Sequence, residues 1–178
     1  MSGSFASRTA LALSLAAAAV LASAVLPAQE PRRPLDLATF PRTSLEITHK
    51  DASHAAHKYP FQVWVADTPA RAEQGLMFVS DLPDTMGMVF PVEPPRVETM
   101  WMENTYIELD MLFIDSSGRV TKIIEHAAPM SRKTLSSENA VAAVLELKGG
   151  AAGKLGLHIG DSVAWKKPAS AAAAAGTG

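Results

Sequence analysis

The chain has no cysteine among its 178 residues. That absence excludes a disulfide framework, thiolate metal ligands, a cysteine nucleophile and a lipid anchor on an acylated cysteine. Neither sign of charge is in excess: 16 basic and 18 acidic side chains are interspersed, for a net charge of -2. No basic stripe is available to neutralise a run of phosphates, so nucleic-acid binding is not expected. No serine, histidine or lysine stands in a recognised nucleophile motif. There is no internal repeat and no sign of a second folded domain. The length fits one domain of ordinary size, or a smaller one with an extension at each end.

The extensions are visible. Residues 1–28 read as a secretory signal: Arg8 gives the positive start, Leu11, Leu13, Leu15, Val20 and Leu21 lie in an uncharged apolar run, and Ala22-Ser23-Ala24 offers small residues for cleavage, with a second cut available after Ala28. The expected destination is the periplasm or the exterior, with no membrane span once the signal is removed. The competing reading is an uncleaved anchor, since no charge intervenes between Arg8 and Glu30. Residues 29–42 hold Pro31, Pro34 and Pro41 among charges, which predicts an extended, solvated linker. Residues 167–178 are small and without an apolar face, which predicts a disordered alanine-rich tail.

Between them, residues 43–166 show short runs of alternating apolar and polar residues, among them Phe61, Val63, Val65; Met88, Phe90; Leu109, Met111, Phe113; and Val141, Ala143, Leu145, Leu147. The period of two and the turn residues between runs predict a mainly β, antiparallel barrel or sandwich. A hairpin should join Leu109–Ile114 to Arg119–Glu125 through Asp115-Ser116-Ser117-Gly118. Two short helices interrupt the strands. Thr68 can cap one that begins at Pro69 and ends at Gly75. The other should run from Ala151 to Leu155 and stop at Gly156.

Five words occur in order: Gln74-Gly75-Leu76-Met77-Phe78, Gly87-Met88-Val89-Phe90, Met100-Trp101-Met102-Glu103-Asn104-Thr105, Leu109-Asp110-Met111-Leu112-Phe113-Ile114-Asp115, and Val144-Leu145-Glu146-Leu147 ahead of Gly160-Asp161. Together they resemble the family of domain of unknown function 192 from about Thr43 to Trp165. The resemblance implies a single compact β-barrel or sandwich with jelly-roll character and short helices, often exported, and it implies no reaction. The chain departs from the family pattern at Val79 and Glu103, where basic residues are usual, which puts an inherited anion-binding role in doubt.

Asp110 and Glu146 are the carboxylates that stand out, because each lies in an otherwise apolar strand. Burying an unpaired carboxylate costs several kcal/mol, so each needs hydrogen-bond donors or a raised pKa. For Asp110, Asn104 and Thr105 are the nearest donors. Glu146 can cap the following helix or pair with an arginine. Trp101 and Met102 should alternate across a strand, one toward the core, and Trp101 beside Asn104 can wall a ligand pocket.

The methionines show no clustered array, so they read as core filler rather than copper(I) ligands. His54 and His57, close to His49 and Asp51, are spaced to meet only on a helical turn, so metal binding there reads as adventitious. The function these residues favour is a non-enzymatic extracytoplasmic binding module. It would take a small ligand or a protein at Met77, Trp101, Met102, Asn104, Asp110 and Glu146, without cofactor or metal. The alternative is a small hydrolase or lyase with Asp110 and Glu146 as acid and base.

Overall fold

A computed structural model describes residues 33–166. The expected signal peptide and alanine-rich tail lie outside the described residues. Seven strands and two helices follow in the order β1 (Arg42–Lys50), β2 (Ala56–Val65), α1 (Pro69–Gln74), β3 (Met86–Met100), β4 (Leu109–Ile114), β5 (Val120–Ala127), β6 (Leu135–Lys148), α2 (Ala151–Leu155) and β7 (Ser162–Trp165). They form one sheet in the order β5-β4-β6-β3-β2-β1-β7.

The local signals act as their chemistry dictates. The Thr68 hydroxyl accepts from the Arg71 amide at the start of α1, and Gly75 ends it at φ +51°. In the β4–β5 hairpin, one Asp115 carboxylate oxygen accepts from the amides of Ser117 and Arg119 at 2.8 and 2.9 Å. Gly118, at φ +80°, supplies the left-handed residue that the turn requires.

The fold is mainly β and sandwich-like, but the sheet is mixed rather than antiparallel throughout. β2 runs parallel to β3, with Val63 opposite Gly87 and Val65 opposite Val89. A parallel pair cannot be joined by a tight turn, so the chain between them crosses the sheet and carries α1. The sheet also stays open as a ladder. Its edges β5 and β7 meet at one bridge, Arg119 with Ser162.

Both faces of the sheet are buried, and the alternation of side chains sorts them. One cluster contains Leu45, Ile47, Val63, Leu112, Ile114, Leu145 and Val163, drawn from strands across the whole sheet and from its curled-in edges. The other contains Trp64, Met88, Phe90, Met111, Phe113 and Val144, covered by Leu76, Leu82 and Met102 from the connecting segments. At roughly 25 cal/mol per Å² of apolar area, these two layers supply the main favourable term in folding.

The segment read as a solvated linker is partly packed. Phe40 is buried in the second cluster, and the Arg71 guanidinium lies over its ring at 5.5 Å. Gln74 grips the Leu35 backbone from both sides, accepting from its amide and donating to its carbonyl at 2.8 Å. Composition hid this anchor, because a single aromatic among prolines carries no periodic signal.

Candidate functional site

The carboxylates singled out in the sequence are both buried, and they point in opposite directions. In the β4–β6 register Asp110 stands opposite Leu147, and Glu146 stands opposite Met111. Asp110 therefore shares its face with Leu112 and Leu147, and Glu146 shares the other with Met111 and Val144. With the sheet between them they cannot act on one substrate atom, which removes the geometric basis for an acid–base pair.

Asp110 is fully buried and its charge is answered. One oxygen accepts from the amides of His126 and Gly150 at 2.9 and 3.0 Å, and the other from the Ala152 amide at 2.8 Å. The donors are thus backbone groups of β5 and of the entry to α2, not Asn104 or Thr105 as expected from proximity in sequence. This carboxylate, rather than Glu146, caps α2, where the first amides of a helix lack partners of their own. Its geometry is that of a brace.

Glu146 is the opposite case. It sits on the interior strand β6 between Met88 of β3 and Met111 of β4, both fully buried. Neither the helix cap nor the arginine pairing expected for it is formed. Oε2 has no hydrogen-bond partner, and burial pushes the carboxyl up to about 8. At neutral pH it is mostly a protonated acid, a hydrogen-bond donor held in an apolar wall.

That wall bounds a cavity of about 230 Å³ whose lining includes Glu146, Met77, Trp101, Thr105, Phe90 and Arg96. The β3–β6 pairing breaks between Pro91 and Arg96, where β3 bulges away and opens the space. The segment after α1 forms the facing side. Phe78 of that segment and Asn104 of the turn after β3, at φ +66° and +57°, are non-glycine residues in the left-handed region, and the Phe78 amide donates to the Asn104 carbonyl at 2.9 Å. Asparagine tolerates that conformation, whereas for Phe78 it costs on the order of 1–3 kcal/mol.

The fold gathers some of the expected site and disperses the rest. Met77, Trp101 and Glu146 line the cavity together. Asn104 stands behind them, its side-chain amide 3.8 Å from the Met77 sulfur. Met102 is fully buried in the core, and Asp110 is on the far face. Trp101 is half exposed and follows the end of β3, so it rims the cavity instead of filling the core.

Arg96 carried no expectation, and Thr105, expected to donate to Asp110, lines this cavity instead. Thr105 is buried, and Arg96 pairs with Glu98 at 2.7 Å. Of the departures from the family pattern, Val79 packs on the core, and Glu103 binds Arg132 at 2.5 Å. A second, larger cavity of about 490 Å³ lies beside α2, but its charged groups answer one another: Asp84 bonds Lys154 at 2.7 Å and lies 3.4 Å from Lys148.

Residues 50–165 match the model of the family DUF192, described as an uncharacterized ACR. A crystal structure described as that of a candidate transcription regulator from Sinorhizobium meliloti 1021 is similar, at 36% identity and TM-score 0.65, covering 71% of this chain and 95% of that one. A protein of unknown function from Novosphingobium aromaticivorans DSM 12444 is similar at 37% identity and TM-score 0.63, covering 68% of this chain and 84% of that one. No curated protein matches the chain.

Proposed function

Because the chain belongs to the DUF192 family, which has no assigned reaction, we propose its function from the site alone: an exported, non-enzymatic module that binds a small ligand in the cavity over Glu146. The observation that carries this reading is the buried, unpartnered Oε2 on the cavity wall. A buried polar atom left without a partner costs free energy unless something satisfies it, and a ligand acceptor is the group that would. With the carboxyl pushed up to about 8, Glu146 donates at neutral pH. The complementary ligand therefore presents a carbonyl or another uncharged acceptor at one end and an apolar body toward Met77, Phe90 and the Trp101 ring.

The cavity is below the roughly 300–1,000 Å³ of drug-sized sites, so the ligand is a small metabolite or a terminal group of a larger one. The transcription-regulator description of the Sinorhizobium protein is not carried over, because the balanced charge of this chain offers no basic stripe. Export rests on the charged start, apolar run and small-residue end of residues 1–28.

Two measurements test the proposal. Amino-terminal sequencing of the protein recovered from its own compartment should give a start near Val25 or Gln29, and an intact Met1 would overturn export. Titration of the labelled protein with small ketones and amides, followed by amide NMR shifts, should move Met77, Trp101, Thr105 and Glu146. The response should weaken above about pH 8 as the donor is lost. Shifts confined to other surfaces, or unaltered in Glu146→Leu, would refute the binding site.

A further inference from the structure

Where β1 meets β7, the fold assembles three side chains that no periodicity connects: His49, His158 and Asp161. β1 pairs with β7 so that Thr48 faces Ser162, which sets His49 beside Asp161 at the strand's entry. His49 Nδ1 lies 3.0 and 3.2 Å from the two Asp161 oxygens. The His158 ring stacks on that of His49 with centroids 5.2 Å apart. One ligand atom from each of His49, His158 and Asp161 lies within 4.8 Å of the others.

We propose that His49, His158 and Asp161 form a binding site for one divalent transition-metal ion, of the class that favours imidazole nitrogen. Ligand atoms held about 2.0–2.2 Å from one zinc lie roughly 3.4 Å apart in a tetrahedron, so side-chain rotations close the set without moving a strand. Two imidazoles and one carboxylate suit zinc, cobalt, nickel or copper(II) over calcium or magnesium, which take oxygen ligands.

The set is also held in place before any ion arrives. The His158 amide donates to Asp161 Oδ2 at 2.8 Å, and the Asp161 amide donates back to the His158 carbonyl at 3.1 Å. The Asp161 carbonyl accepts from the Val120 amide at 2.9 Å, and Arg119 donates to the Gly160 carbonyl at 2.8 Å. Asp161 is buried and the His49 side chain is only 12% exposed, so their attraction for a cation is little screened. His158 is exposed and gives the ion a way in, with an outer position left for water.

His57 stands next in the row of rings, 6.3 Å from His49, yet it is bound to Asp51 at 2.9 Å and lies outside the set. It serves as the internal control. The untagged full chain, stripped with a chelator, is titrated with Zn²⁺ by calorimetry and with Co²⁺ by visible absorption. One ion per chain is expected, with Co²⁺ bands of a low-coordinate nitrogen and oxygen site. His158→Ala, at an exposed position that leaves the fold intact, should weaken affinity by at least the roughly tenfold that even the loss of an outer partner costs a metal site. His57→Ala should leave it unchanged. Absence of saturable uptake at one ion per chain would overturn the proposal. Equal losses in His57→Ala and His158→Ala would do so too, as they mark scattered surface histidine binding.

Discussion

Replacing Glu146 with Gln keeps the shape of the side chain and removes its ionisation, and the effect on stability should depend on pH in one direction only. The unfolded chain loses this proton near the ordinary value of 4.5, and the folded chain near 8. Between those limits the folded state holds the extra proton, so native stability falls as pH rises and levels off once the folded group has ionised. At pH 7 the loss attributable to this residue is about 3 kcal/mol, and above pH 8 it approaches about 5 kcal/mol.

Glu146→Gln should therefore match the wild type at pH 4, where both side chains are neutral. It should exceed the wild type by about 3 kcal/mol at pH 7 and by more at pH 9. Urea unfolding of both proteins at the three pH values reads this directly from the midpoints, provided the slopes agree. Curves that run parallel from pH 4 to 9 would refute the reasoning. They would mean that Glu146 is ionised in the native protein and has a partner or solvent at Oε2.

Asp110→Asn turns one acceptor oxygen into a donor facing backbone N–H groups, so unfolding at neutral pH should show a loss of about 1.5–3 kcal/mol. An unchanged or raised midpoint would sink the brace. Gly87→Ala would place a methyl group 2.5 Å from the Glu146 carbonyl oxygen and 2.9 Å from a Leu147 methyl, so it should cost about 1–3 kcal/mol by thermal unfolding. A neutral result there would show that β3 and β6 can part without loss.

Much of the frame is legible in local chemistry. Thr68, Pro69 and Gly75 specify α1 by capping and backbone conformation, and Asp115 with Gly118 specifies the β4–β5 turn, because each signal acts within a few residues. The parallel β2–β3 pair left no mark, since alternation reports which face a residue occupies and not the direction of its neighbour. The same limit governs the site. Alternation flagged Asp110 and Glu146 as misplaced charges, but it could not show that one meets three amides and the other none. That depends on register between strands distant in sequence. His49 and His158 are the extreme case: they become neighbours only through the β1–β7 pairing and the turn before β7.

The parallel pair has a further consequence. Whatever joins β2 to β3 must travel from one end of the sheet to the other, and in this chain that obligatory bridge carries Leu76 and Met77 onto the cavity. The cavity wall is thus built partly from a connector whose length the strand ladders do not constrain. Substitutions or insertions there can reshape the chamber while every rung of the sheet stays in place. The β scaffold is a chassis, and the crossover is the exchangeable part through which the shape of the cavity can change while the strand ladders stay the same.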